Sequence, residues 1–548
     1  MAPAAGFAGG GAEPAVCHLV FFGYWGFVDL LKFPAGQRKC LGGPEFCNNP
    51  AESGKERGFF KKPKPSAGTL IVYLHRPPRV RATSLLPKSC QHGGQGSADS
   101  GTSSRNGGIM KAGKLRNTLA AVSVGVAALG MVAVNVAAQV SLTPFYKAAS
   151  KMAPEGKLGQ VIKKEEIKTA IPGARAWRIA YISSDVANRK TIATGLVVAP
   201  SGKAPKEGRP VVAWAHGTTG TAENCGPSQI LNPAVPLNEY FLVGGDSWTD
   251  YGLPAVEEFI KAGYVVVGTD YQGLGGGGKH QYVVSVTQGY DAINSIRAAG
   301  DLKDTGAGRK AVIYGWSQGG ATVLTAASSG AYVSQKGTAF DGIDIVGFVA
   351  MAPADIAVMA PKQALTPASA EEMLKSVFKA FSDNVFNFTH MAMNLWGTQA
   401  AFEDNLQLTD VFTDEGAKII NEVVSKKCMH AAAGTLNFTY GSGYQSLMKP
   451  KVSNAMAWAT ALLAGSVPDE KPIAPLVIFW GTHDTVVPPV MGALYREQMC
   501  KKGANVTRVQ LTGEQTHYST PGASQPLFVP WIQDRFGGKP LENGCSAN

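Results

Sequence analysis

Tyr314-Gly315-Trp316-Ser317-Gln318-Gly319 follows the β-type run Lys310-Ala311-Val312-Ile313 and opens the small-residue run Gly320-Ala321-Thr322-Val323-Leu324-Thr325-Ala326-Ala327. A strand, then G-x-S-x-G, then a helix is the context that gives this pattern chemical meaning. The turn must be sharp enough that side chains beside the serine collide, so Gly315 and Gly319 carry no Cβ. The serine oxygen then stands exposed, next to a helix N-terminus that favours negative charge. In a chain with 65 glycines the bare pattern would arise by chance roughly 0.5 times. The flanking strand and helix therefore decide the reading: an exposed, activatable nucleophile at the end of a buried strand.

Working outward, apolar runs alternate with helical stretches. Strands are expected over 177–183, 191–199, 210–215, 264–269, 310–314, 343–351, 475–480 and 506–511, with helices over 255–262, 281–299 and 528–536. Such alternation predicts an α/β fold with a mostly parallel central sheet covered by helices on both faces. In these sheets chemistry gathers at the carboxyl ends of the strands, and His216, Asp270, Ser317 and Asp484 all fall there. Residues 355–470 break the alternation. They hold no convincing buried strand and many Ala, Met and Phe residues, which predicts a helical cap inserted between the sixth and seventh expected strands. The expected domains are therefore a first part of the core (139–354), the cap (355–470) and a second part of the core (471–548). Phe386, Phe388, Met391, Met393 and Trp396 suit a pocket lining or a cap core equally well.

A serine hydroxyl needs a base, and the base an orienting acid. After this kind of turn the chain order is serine, acid, histidine. His517 follows the last expected strand in the polar loop Thr512-Gly513-Glu514-Gln515-Thr516-His517-Tyr518-Ser519, which suits the base. Asp484 follows the strand Leu476-Val477-Ile478-Phe479-Trp480 in a Pro-stiffened loop and suits the acid, ahead of Asp344 and Asp355. His483 precedes the acid and is read as a loop residue. His216-Gly217-Thr218-Thr219-Gly220 follows an early buried strand, where an oxyanion hole forms from backbone N–H groups. The expected donors are the amides of Thr218 and Gln318, with His216 structural. Leu274-Gly275-Gly276-Gly277-Gly278-Lys279 lacks the spacing of a phosphate or dinucleotide loop and reads as a flexible surface turn.

The N-terminal region reads differently. After Met110, Lys111, Lys114 and Arg116 precede an apolar stretch to Val134 and small residues before Gln139, the order of a secretory signal peptide over 110–138. Residues 1–109 mix Gly, Pro and Ser clusters with scattered basic residues, which fits an upstream-extended reading frame or a disordered extension. Of 51 basic and 40 acidic residues, 16 and 6 precede Gln139, leaving 35 and 34 beyond it. The net charge of +11 is thus a leader property and gives no reason to expect a nucleic-acid partner. No stable membrane span is expected once the leader is cleaved, and the sequence carries no signal of oligomeric state. Cys225, Cys428, Cys500 and Cys545 remain behind the leader; an even count in a secreted chain favours disulfides, with three pairings open. None has zinc-ligand spacing, so no metal and no cofactor are expected.

Together, Trp214-Ala215-His216-Gly217-Thr218-Thr219-Gly220, Cys225-Gly226-Pro227-Ser228, Gly263 to Gly275, the Ser317 turn and the Asp484 and His517 loops resemble the secretory lipase family of α/β-hydrolases, the lipase A type, over about 158–536. The resemblance implies hydrolysis of acylglycerols or simpler carboxylic esters, with the cap over the acyl site. It also implies the pairings Cys225–Cys428 and Cys500–Cys545. A short-chain or aryl esterase of the feruloyl or phthalate type, a serine peptidase and an acyltransferase are the alternatives. Gln318 stands where relatives often carry Gly, which predicts a narrower pocket. No cysteine flanks Ser317 or His517, so the disulfide-linked triad of tannase-like esterases is absent.

Overall fold

Val265, Val266 and Val267 point alternately to two different cores, and this explains the architecture. Val211, Ala213, Val265 and Val267 pack on one face of the sheet, while Val212, Trp214 and Val266 pack on the other. A strand buried on both faces needs no polar alternation, and all eight residues of Val265–Gln272 are buried. Each fully buried aliphatic side chain contributes roughly 1.5–3 kcal/mol.

The computed structural model describes residues 142–229, 252–360 and 364–546. The segments read as an N-terminal extension and a signal peptide lie outside them. The strands are β1 (Val161–Ile167), β2 (Ala174–Ser184), β3 (Lys190–Pro200), β4 (Arg209–Ala215), β5 (Val265–Gln272), β6 (Ala307–Trp316), β7 (Asp344–Met351), β8 (Leu476–Trp480) and β9 (Val506–Gln510). They form one sheet in the order β1-β2-β3-β5-β4-β6-β7-β8-β9. β1 to β3 and the β3–β5 pair are antiparallel; from β5 to β9 every pair is parallel. This is the α/β-hydrolase arrangement, a mostly parallel sheet flanked by helices.

The helices of ten residues or more are α1 (Ser285–Asp301), α2 (Gln318–Ala327), α3 (Pro367–Ala380), α4 (Val385–Ala401), α5 (Asp414–Val424), α6 (Met429–Tyr440), α7 (Ala455–Ala464), α8 (Val490–Lys501) and α9 (Thr520–Phe536). α1, α2 and α8 supply Ile293, Val323 and Met499 to one face. The helix Val256–Lys261 and α9 supply Phe259 and Ile532 to the other. Helices α3 to α7 lie between β7 and β8 and bury a separate core around Phe388, Trp396, Ile420 and Trp458.

Two expectations need correction. The sheet has a ninth strand, β1, where the sequence Val-Ile-Lys-Lys-Glu-Glu-Ile gave no strand signal; it is an edge strand with a partly exposed face, and charge there blocks pairing with another chain. The glycine run after β5 is not a surface turn in its first half. Leu274 is fully buried, and a Cβ on Gly276 would lie 2.3 Å from the Ile192 carbonyl oxygen.

Candidate active site

Ser317 sits between β6 and α2 with φ 58° and ψ −116°, a conformation that costs about 1–3 kcal/mol for a residue with a side chain. Neighbouring bonds hold it there: its N–H donates to Met351 O at 2.9 Å, and its carbonyl accepts from Ala321 N at 3.1 Å. A Cβ on Gly315 would lie 2.4 Å from Gly319 O, and one on Gly319 only 1.9 Å from Ala215 O. The two glycines thus let β4, β6 and α2 meet under the serine.

Three side chains from distant loops converge here. His517 Nε2 lies 2.9 Å from Ser317 Oγ, and His517 Nδ1 lies 2.8 Å from Asp484 Oδ2. All three residues are at least 92% buried, with 8%, 8% and 3% exposure for Ser317, Asp484 and His517. The other carboxylate oxygen, Asp484 Oδ1, accepts from Val486 N (2.9 Å) and Val487 N (2.8 Å). The acid's loop therefore aims Oδ2 at the imidazole. On the far side, Trp316 Nε1 donates to His517 O at 3.0 Å, so a neighbour of the serine fixes the histidine loop. His483 is exposed, and its ring nitrogen Nδ1 lies 3.0 Å from Thr482 Oγ1, away from this relay. Asp355 instead accepts from Ala357 N at 3.0 Å, a local turn bond, and Asp344 is exposed at the start of β7.

The loop after β4 borders the same space. Thr218 is buried and its Oγ1 shares a 2.7 Å hydrogen bond with Tyr282 OH. Gln318 is the first residue of α2, where amide N–H groups have no partner inside the helix. Its side-chain Nε2 lies 3.4 Å from His280 Nε2. His280 Nδ1 donates to Gln272 O at 2.7 Å, which leaves Nε2 as the acceptor for Gln318. Burial pushes His280 down to about 3, so it remains neutral. His216 lies under the loop between Gly217 O (2.6 Å) and Asp270 O (3.2 Å), and Tyr271 OH donates to His216 O at 3.0 Å. Burial holds His216 at about 4. These contacts make His216 a support for the loop.

Asp270, a strand-end carboxylate, points away from the serine. It accepts from Ser228 N and Thr194 Oγ1, both at 2.8 Å, and burial raises it to about 6. It fastens the 227–229 turn. Cys225 is joined to Cys428, and Cys500 to Cys545. The first bridge brings the inserted helices to the Thr218 loop: Met429 N donates to Thr219 O at 2.9 Å, and Thr221 Oγ1 to Val424 O at 2.6 Å.

A narrow pocket opens on Ser317. Phe386, His390 and Met429 reach it from the inserted helices, Val486 and Tyr518 from the acid and histidine loops. Phe388, Met391, Met393 and Trp396 instead belong to the inserted helices' own core. His280, Tyr282 and His390 carried no sequence signal, because each is defined by what packs against it. No group of three or more potential metal ligands exists among the described residues, and none of their helices is long and apolar enough to cross a membrane.

Comparison with known proteins places this geometry in a family. Lipase 4 of Candida albicans is 23% identical over 425 residues, covering 73% of this chain and 83% of its own. A secreted triacylglycerol lipase, LIP2 of Malassezia furfur, is 22% identical over 406 residues, covering 71% and 77%. Candida antarctica lipase A superposes with a TM-score of 0.55 at 18% identity, over 74% of this chain and 88% of that one. The rice cell wall degrading esterase LipA of Xanthomonas oryzae superposes at 0.51 and 20% identity, over 70% and 100%; these two likenesses speak for the fold. The sequence model described as Secretory lipase matches residues 246–544, more than half of the chain and a span that includes Ser317, Asp484 and His517. The chain belongs to the secretory lipase family, and is a secreted carboxylester hydrolase built on the α/β-hydrolase fold.

Proposed function

We propose that Ser317, His517 and Asp484 carry out a two-step acyl transfer on acylglycerols or simple carboxylic esters. The observation that carries this reading is the relay from Asp484 Oδ2 through His517 to Ser317 Oγ, with bonds of 2.8 and 2.9 Å. His517 Nε2 takes the serine proton as Oγ attacks the ester carbonyl. Asp484 holds the Nδ1–H and stabilises the imidazolium. The amides of Thr218 and Gln318 receive the oxyanion. His517 then protonates the departing alcohol oxygen, the acyl group stays on Ser317, and water repeats the sequence to release the acid. No cofactor enters this chemistry.

The pocket bears on substrate size. Trp316, Phe386 and Tyr518 wall the space beside Ser317 and leave little room in it. This favours small esters, the esterase end of the family's range. A peptidase would need a charged anchor for a peptide terminus, and the lining has no Lys, Arg, Asp or Glu among the described residues.

Hydrolysis of p-nitrophenyl esters from acetate to palmitate tests both levels. Activity should peak at the short chains, and Ser317→Ala should lose more than ~10³-fold, leaving only binding and oxyanion contributions. Retained activity in that variant would rule out the mechanism; a peak at palmitate would rule out the short pocket.

A further inference from the structure

Among the described residues, His390 is the one titratable side chain that the inserted helices contribute to the lining of the serine pocket. It stands on α4, and its Nδ1 lies 2.9 Å from the Phe386 carbonyl oxygen one turn earlier. A carbonyl only accepts, so Nδ1 carries the proton and Nε2 presents a lone pair. No donor among the described residues is bonded to that nitrogen. The ring is also held in place: Phe386 packs edge-on against it at 4.7 Å, and the Phe386 ring in turn lies 5.6 Å from that of His430. Burial pushes His390 down to about 4, and the nearby His517 pushes it the same way. It therefore stays a neutral acceptor even when His517 becomes an imidazolium.

His390 is only partly buried, so water can reach it in the free enzyme. Once a substrate displaces that water from beside Trp316, Phe386, Met429 and Val486, the oriented acceptor calls for a donor on the ligand, because a buried polar atom without a partner is costly. His517, which delivers its proton to the departing alcohol, lines the same pocket as His390, so the alcohol part of the ester comes within reach of this lining. We infer that His390 Nε2 accepts a hydrogen bond from a free hydroxyl on that alcohol, making glycol monoesters and partial acylglycerols the preferred substrate class. This rests on the serine mechanism proposed above and adds a recognition element to it.

The test compares 2-hydroxyethyl butyrate with propyl butyrate, which differ only by that hydroxyl in place of a methyl, using the full-length enzyme. The ratio of their kcat/KM values should favour the hydroxylated ester by about tenfold or more. His390→Phe should bring the ratio close to one, while His390→Gln, which keeps an acceptor, should hold an intermediate value. An equal proportional loss on both esters in His390→Phe would overturn the inference, since His390 would then be supporting the fold or placing the hydrolytic water. So would a wild-type ratio near one with propyl butyrate turned over normally, and in that case the serine mechanism stands. Failure to hydrolyse either ester, with no fluorophosphonate labelling of Ser317, would remove the mechanism and the inference together. The wild-type ratio and the Gln variant decide the matter if the Phe variant does not fold.

Discussion

Gly319 is the residue on which the site's geometry depends most directly. Its missing Cβ would fall 1.9 Å from Ala215 O and 2.8 Å from His216 O, inside the closest approach any real side chain makes. Backbone cannot yield as a flexible side chain can, so α2 would be pushed off β4. Gly319→Ala should lower kcat/KM by ~10²-fold or more, since a misplacement of about 1 Å costs that much. Slow fluorophosphonate labelling of a still-folded variant would be the signature, and wild-type kinetics would disprove the packing argument. Ser317, Asp484 and His517 were legible because each lies in a local pattern: an apolar strand, then a turn of polar or small residues. His280 and Tyr282 were not. Their roles come from Gln318 and Thr218, dozens of residues away in sequence, and no local pattern encodes that contact. Gln318 is an intermediate case. Its identity suggested a narrow pocket, but its bond to His280 required the fold.

At the scale of elements, the junction between the inserted helices and the Thr218 loop is the feature with functional consequence. Cys428 immediately precedes α6 and is bridged to Cys225, 203 residues away. Gly220 pairs with Cys428 across the same seam, and a Cβ on Gly220 would meet the Cys428 Cα at 2.6 Å. Replacing both cysteines by Ser should cost roughly 2–4 kcal/mol of stability and lower kcat as well, because Met429 N no longer holds Thr219 O firmly. Removing Cys500–Cys545, which ties the end of α8 to the C-terminal tail, should cost stability with kcat maintained. Urea unfolding and steady-state kinetics on the two double variants separate these cases; equal kcat in both would break the link to the Thr218 loop. The elements themselves were unevenly legible. Apolar strands such as β4 and β5 announce themselves, because burial on both faces leaves no polar positions. β1 does not, since an edge strand is protected by its Lys and Glu residues. α9 starts eight residues before the expected helix, because Pro526 and Pro530 are poor helix formers that this packed helix tolerates.

Across the whole molecule, titratable groups buried for structural reasons set how the enzyme responds to acid. His216, His390 and His430 are held at about 4 and His280 at about 3, chiefly by burial. Their unfolded value is about 6.5, so below it the unfolded chain binds protons that the folded one refuses. Each histidine therefore contributes stability that is present above about pH 6.5 and is lost as pH falls toward 4. Asp270 and Asp291 act the other way. Burial raises them to about 6 and about 7, so the folded state holds their protons, and their contribution declines as pH rises through those values. Four histidines against two carboxylates leave the unfolded state with the greater proton uptake near pH 5. After a discount for the partly exposed His390 and His430, stability should fall by on the order of 1–2 kcal/mol per pH unit between pH 6 and 4.5. Urea unfolding at steps across that window measures the slope. His216→Gln combined with His280→Gln should flatten it, although the double variant will be less stable at pH 7. A slope of zero in the wild type that is unchanged in the double variant would mean that these histidines take up protons as easily folded as unfolded, and that the loop under Thr218 and the turn behind Gln318 are open to water. The same experiment therefore reports on whether the backbone beneath the serine is as dry as its packing requires.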